Sequence, residues 1–126
     1  MTVRPARAAD ERGSVAPLAV AVIGVLLLLG MSANLVVAVA AAHRTAQAAA
    51  DLAALAGARA WQEQHVVALA CAEASSVAGD NDARLVDCRI EGDDVLAVVE
   101  VASPEMFGRE FDIHGRARAG PEQPGQ

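Results

Sequence analysis

The side chains that could carry chemistry in this chain are few and widely separated. The histidines are His43, His65 and His114, and the cysteines are Cys71 and Cys88. A structural zinc site needs a tetrahedral set of such ligands at short, regular spacings. His65 and Cys71 have five residues between them and belong to no such pattern. The sequence therefore predicts no metal site.

Motifs for nucleophilic or acid–base catalysis are also missing from the sequence. None of the five serines lies in a G-x-S-x-G context, and there is no glycine-rich phosphate loop. Glu91, Asp93 and Asp94 are more typical of a solvated turn than of a cation site. His43-Arg44 follows a long apolar segment and indicates an interfacial anchor rather than a catalytic pair. We expect neither enzyme activity nor a cofactor.

Composition argues against two further classes of function. The chain has 126 residues, 54% of them apolar, with only three aromatic residues, 30 alanines and no lysine. Aromatic side chains contribute much of the buried area of an ordinary core, so this composition argues against a stand-alone soluble enzyme. The net charge of −6 argues against nucleic-acid binding, because that function needs a basic face.

One long apolar segment, Val15–Ala42, contains no charged side chain. Its 28 residues would form a helix of about 42 Å, enough to cross a hydrocarbon core of roughly 30 Å. Ser32 and Asn34 interrupt it, but a buried Asn side chain bonds within its own helix or to a neighbour and does not exclude spanning. The sequence predicts a cytoplasmic stub at 1–14, a transmembrane helix at 15–42 and the lipid bilayer as a partner.

Arginine placement predicts the orientation of this segment. Three arginines lie within fifteen residues before it, whereas only Arg44 lies that close after it. Positive residues favour the cytoplasmic side, so we expect a cytoplasmic N-terminus and an extracytoplasmic remainder. That remainder carries seven arginines and fourteen acidic residues. In that compartment Cys71 and Cys88 are expected to form a disulfide, with two buried thiols as the alternative.

A cleaved signal peptide is the alternative to a membrane anchor. Ala38-Val39-Ala40 and Ala40-Ala41-Ala42 both fit a signal-peptidase site, with cleavage after Ala40 or Ala42. However, the apolar run before these sites is longer than the usual length of about 7–15 residues. The helical pattern also continues through them. We therefore favour the anchored form.

A long helix and a small sheet are predicted beyond the membrane segment. Ala41–Ala78 contains no proline, is rich in alanine and carries an apolar stripe that includes Leu52 and Leu55, so one helix is predicted. The predicted segments are an extracytoplasmic helix at 43–78 that continues the membrane helix, a small β-sheet module at 79–119 and a disordered tail at 120–126. The predicted fold class is α+β, with the long helix packed on an antiparallel sheet of about three strands.

The strands are predicted from their alternating or continuous apolar patterns. The candidates are Leu85–Glu91, Val95–Ala102 and Arg109–Ala119. In the first, Val86, Cys88 and Ile90 share a face that a helix carrying Cys71 would cover. The second is apolar on nearly both faces and is therefore expected at the centre of the sheet. Pro104 is expected to end it.

Two stretches beside the membrane segment carry a family resemblance. Asp10-Glu11-Arg12-Gly13-Ser14 opens directly onto the apolar helix, and RTAQAAADLAALAGA, residues 44–58, follows it. These stretches resemble the TadE/TadG-like proteins of Flp (tight adherence) pilus assembly. Cys71 and Cys88, with the stretch 116–121, resemble more closely the actinobacterial TadE-like proteins named for a helicase/secretion gene neighbourhood.

The resemblance implies a pseudopilin-like accessory component of a pilus or of a related type II/IV secretion machine. Gly13 and Ser14 occupy the place of a pilin-type leader-processing site. Such leaders have a Glu five residues into the mature helix, where this chain has Leu18, preceded by Pro17. TadG-like members also lack that Glu and stay membrane-anchored, which makes them the better analogy.

The predicted function is association through the helix. Small residues let a neighbouring helix approach closely in lipid. The predicted association residues are Gly24, Gly30, Ala33, Ala38, Ala42, Ala46, Ala49 and Ala53. For Ala46–Ala56, packing on the chain's own sheet is the alternative. Expected partners are other Tad assembly proteins, in homo- or hetero-oligomers. The alternative functions are a secreted small disulfide-bonded protein and an anchored extracellular binding module.

Overall fold

Two helices and three strands make up the described part of the chain. The structure, a computed structural model, describes residues 2–3, 12–103, 105 and 108–122. The elements in chain order are α1 (Arg12–Gln64), α2 (Val67–Asp80), β1 (Arg84–Glu91), β2 (Asp94–Ala102) and β3 (Asp112–Ala119). The strands form one antiparallel sheet in the order β1-β2-β3. The predicted α+β fold class and the central position of the second strand are confirmed.

Some sequence predictions lie wholly or partly outside these residues. Pro104, predicted to end a strand, is not among the described residues. Most of the predicted stub at 1–14 and the last part of the predicted tail at 120–126 also lie outside them. Gly13 and Ser14 belong to the first turn of α1, but their surroundings are outside the described part.

The chain divides into two compact units, Met1–Val36 and Val37–Gln126. The helix α1 contributes residues to both. In the first unit its described side chains are apolar apart from Ser32 and Asn34, and its large apolar side chains are exposed on every side; Leu28 is 69% exposed and Met31 71%. A helix that is apolar all round is typical of a membrane span or of a buried core helix. The remaining elements belong to the second unit.

A chain reversal after Gln64 corrects the prediction of one helix from Ala41 to Ala78. His65 takes a left-handed conformation with φ of 52°, and its N–H donates to the carbonyl oxygen of Trp61 at 2.8 Å. The two rings lie 5.3 Å apart. No Gly or Pro marks this reversal, and His is one of the non-glycine residues that tolerate a left-handed conformation. Helix propensity alone therefore predicts continuation where the chain turns back.

The reversal is explained by packing at Gly57. A Cβ atom added there would lie 3.1 Å from Cγ1 of Val95, 3.2 Å from the carbonyl oxygen of Ala70 and 3.3 Å from Cβ of Ala74. Helix α1, helix α2 and strand β2 therefore meet at a position without a side chain. A single straight helix would leave the α2 alanines without this contact.

The covered face of β2 follows the alternation expected of a half-buried strand. Its buried residues are Val95, Ala97, Val99 and Val101. In β1, a register shift between Leu85 and Asp87 breaks the alternation. As a result Leu85 packs against the core, and Val86 is 42% exposed. The prediction that Val86 shares the covered face with Cys88 was therefore wrong, because a bulge moves the side chains beyond it to the other face.

The core that α1 builds with the sheet consists mainly of alanine. The buried α1 residues in it are Ala46, Ala49, Ala50, Ala53 and Ala54. A Cβ atom added at Gly115 of β3 would overlap the carbonyl oxygen of Ala46. Helix and strand backbones are therefore in direct contact there. The predicted stripe faces elsewhere, because Leu52 is 45% and Leu55 59% exposed.

A disulfide ties α2 to β1. Cys71 and Cys88 are bonded, with Cα atoms 5.9 Å apart and a sequence separation of 17. This confirms the predicted pairing over the alternative of two thiols. Because the sheet is small, the covalent link contributes a large share of the module's stability.

We expect Gly115→Ala to lower the free energy of unfolding by about 2 kcal/mol, because an added methyl group must displace the α1 backbone. Trp61, the only tryptophan, lies in the second unit, so its fluorescence during urea unfolding of the full chain in detergent reports on that unit. Gly79→Ala in α2 is the control. Its Cβ would enter open space, and we expect stability to be unchanged or raised by up to about 1 kcal/mol. Equal stability of both variants would contradict the close contact.

Replacing both Cys71 and Cys88 with Ser is expected to cost about 3 kcal/mol, the chain-entropy value for a loop of this length. Trp61 fluorescence in urea again measures the change, and reductant should move the transition of the native chain but not that of the variant. Mass spectrometry of unreduced protein should find the two linked peptides. Complete alkylation of both thiols before reduction would rule the bond out.

Candidate functional site

The candidate site is the exposed apolar surface of α1. Among the described residues, this helix is the one that is long and apolar enough to cross a membrane. Its most apolar stretch has no residue buried by the rest of the described chain. Exposing large aliphatic side chains to water is unfavourable, at a free-energy cost of roughly 25 cal/mol for each Å² of apolar surface. This surface therefore requires lipid or protein around it.

Gly24 and Gly30 are open positions on this surface. A Cβ atom added at either one would meet no atom within 4 Å. Ala33 is exposed as well. In lipid, gaps of this kind let the backbone of another helix approach closely, which increases van der Waals contact. These three predicted association residues are therefore available to a partner helix.

The later predicted association residues lie against the chain's own fold. Ala38 and Ala42 are half-buried, and Ala42 packs against the alanine core. Ala46, Ala49 and Ala53 are at most 1% exposed. These three are core residues, as expected from the alternative in which the alanines pack on the sheet. The surface that remains for a partner helix therefore does not include them. Their sequence pattern alone does not say whether a partner helix or the chain's own sheet covers them.

Two polar side chains lie within the apolar stretch, and each bonds to its own helix. Ser32 Oγ donates to the carbonyl oxygen of Leu29 at 2.9 Å. Asn34 Nδ2 donates to the carbonyl oxygen of Gly30 at 2.8 Å. Backbone carbonyls accept these extra bonds readily, so both residues are compatible with an apolar surrounding. From sequence, Asn34 was expected to bond within its own helix or to a neighbour, and the structure shows the bond within the helix.

Charged side chains on the sheet pair with one another. Arg118 bonds to Asp94 at 2.7 Å and to Glu91 at 3.1 Å, and Arg84 bonds to Glu100. The hydrogen bond that Arg118 donates to Asp94, together with the negative charge of that carboxylate, raises the pKa of Arg118. Both arginines are exposed, so these pairs add little stability.

The edge strand β3 is also bonded by a helix side chain. Gln47 Nε2 donates to the carbonyl oxygen of Arg116 at 2.9 Å and to Asp51 at 3.1 Å. A backbone acceptor of an edge strand is thereby bonded within the chain. Gln47 lies in the resemblance-bearing stretch 44–58, but its long-range partner was not foreseeable from the sequence.

The second unit has a cleft that is lined by residues of both helices. The cleft, of about 560 Å³, lies between α1 and α2. Its lining residues are Ala56, Arg59, Ala60, Glu63, Gln64, Leu69, Ala72 and Glu73. Arg59 bonds to Glu63 at 3.2 Å on the rim. Within the described residues, no three His, Cys, Asp or Glu side chains are grouped to hold a metal ion.

A comparison with protein families finds a match for the part of the chain that contains this surface. Residues 13–60 match the family described as putative Flp pilus-assembly TadE/G-like. The match includes the exposed apolar stretch, Gly24, Gly30 and the α1 part of the alanine core, and it confirms the TadE/TadG-like resemblance. The cysteines lie outside it, so the closer actinobacterial resemblance stays a prediction. No curated protein and no solved structure matches the chain.

Proposed function

We propose that this chain, whose residues 13–60 match the putative Flp pilus-assembly TadE/G-like family, is a single-pass membrane protein that acts by association and not by catalysis. Its place would be in a Flp/Tad pilus or a related secretion machine, as a pseudopilin-like structural or assembly part. One observation carries the proposal. The exposed apolar stretch of α1 lies inside the matched residues and has no cover from the described chain.

Lipid is the medium that suits this stretch. An isolated helix of this composition would expose aliphatic side chains on every side, and a bilayer removes all of them from water at once. The helix satisfies its own backbone hydrogen bonds, as any segment in hydrocarbon must. The second unit, with its charged surface and disulfide, suits an aqueous and oxidising compartment.

In lipid, close packing at small residues favours association between helices, whereas burial of large apolar side chains does not. Leu and Val side chains gain nothing by moving from lipid to a partner helix, since both surroundings are apolar. Close approach at small residues is what favours contact between helices, and Gly24 and Gly30 provide it. The alternative functions, a released secreted protein and an anchored binding module, do not require these glycines.

The first test concerns orientation. The arginine bias predicts a cytoplasmic N-terminus. Protease added to intact spheroplasts should remove an epitope fused after Gln126 and spare one fused at Met1. Complete protection of the C-terminal epitope would reverse the proposed orientation. Sequencing the N-terminus of the membrane-bound protein separates an uncleaved anchor from cleavage before Ser14, and from release after Ala40 or Ala42.

The second test concerns association. Gly24→Leu combined with Gly30→Leu should leave insertion unchanged but reduce crosslinking to Tad components, because the added side chains hold a neighbouring helix away. Val22→Leu combined with Val36→Leu is the matched control, since it adds bulk where side chains already exist. Unchanged crosslinking and unchanged piliation or secretion in the glycine variant would contradict the association role of this surface.

A further inference from the structure

Asn34 has hydrogen-bonding capacity that its own helix does not use. An Asn amide offers two N–H groups and a carbonyl oxygen that accepts. Among the described residues, one N–H bonds to the carbonyl oxygen of Gly30, at 2.8 Å. The second N–H and Oδ1 have no hydrogen-bond partner among the described residues, and the apolar stretch that contains Asn34 is not buried by the rest of the described chain.

The depth of Asn34 in the membrane makes its unused hydrogen-bonding groups unfavourable. It lies five to six residues past the middle of the apolar segment Val15–Ala42, or about 8 Å along the helix axis. Half of a hydrocarbon core is about 15 Å, so a centred segment holds Asn34 among the acyl chains. Lipid tails offer neither donor nor acceptor, and an unbonded amide there is unfavourable.

We propose that two copies of this chain pair in the membrane through reciprocal hydrogen bonds between their Asn34 side chains. The inference rests on the proposed membrane anchoring. Each amide would keep its bond to Gly30, donate its second N–H to the partner copy's Oδ1 and accept the equivalent bond in return. Every donor, and each carbonyl oxygen, then has a partner, which is the arrangement that low-dielectric surroundings favour.

A second copy fits this site for two reasons. An amide is donor and acceptor at once, so it is complementary to itself, whereas a carboxylate or ammonium group is not. All copies insert in the same orientation, so the same residue lies at the same depth in each. A different protein would need a polar residue at the same depth in the membrane, and no described feature of this helix favours such a protein over a second copy.

The neighbouring surface permits the approach that these bonds require. Gly30 lies one turn before Asn34 on the same side of the helix, and it leaves open space there. Ser32 is different, because it lies about 200° around the helix from Gly30 and its hydroxyl hydrogen is used by the carbonyl oxygen of Leu29. It therefore serves as an internal control.

Sedimentation equilibrium of the full chain in density-matched detergent micelles tests the pairing. We expect a reversible dimer that Asn34→Leu weakens by about 3- to 30-fold, the range that hydrogen bonds between membrane helices give. Asn34→Gln keeps the amide and should retain most of the affinity. Ser32→Ala removes a hydroxyl from the other side and should leave the dimer unchanged. A monomeric native chain, or a dimer that Asn34→Leu does not weaken, would overturn the proposal.

Crosslinking in membranes tests the same dimer in a bilayer. A photoreactive amino acid at Leu27, two turns before Asn34 on its side of the helix, should give a crosslinked dimer whose yield falls with Asn34→Leu. The same group at Val36 should give less. Resistance to carbonate extraction is measured for every variant. A chain that is extracted refutes the anchoring itself, whereas a retained chain without crosslinks refutes only the Asn34 pairing.

Discussion

The contact between the backbone of α1 and that of β3 is the constraint on which the second unit depends. Gly115 leaves the space that the carbonyl oxygen of Ala46 needs, and the surrounding alanines keep the helix close along the sheet. Such proximity is possible only where neither element has a long side chain at the interface. The largest fully buried side chains among the described residues, Val95 and Val99, come from the central strand. The disulfide then holds α2 over β1, where Leu85 and Cys88 are only half-buried.

Much of this architecture could be predicted because it follows from local patterns. The apolar segment, the central strand and the cysteine pairing each depend on residue type and spacing that the sequence displays directly. The reversal at His65 could not be predicted, since it is selected by the distant contact of Gly57 with α2 and not by any breaker residue nearby. The bulge after Leu85 likewise depends on pairing with β2.

The same limit applies to the candidate site. The sequence identified small residues along the helix and predicted a partner helix for them, with packing on the chain's own sheet as the alternative for Ala46–Ala56. Only the fold decides between the two, because Ala46, Ala49 and Ala53 are buried, whereas Gly24 and Gly30 have open space beside them. Asn34 was visible as a polar interruption, yet its role depends on which of its atoms the helix already bonds, and that requires coordinates.

An alanine core reverses the usual direction of mutational damage. In most cores the harmful changes remove atoms, but here glycine is the only smaller residue, and Ala→Gly costs about 1 kcal/mol through helix propensity. Changes that add atoms are the hazard, at about 1–3 kcal/mol each. A single base transition converts any alanine codon to one for valine or threonine. Random mutation therefore reaches the harmful direction at Ala46, Ala50 or Ala53 in one step, and a tolerated-substitution profile of α1 should show a sharp upper limit on volume along one side of the helix.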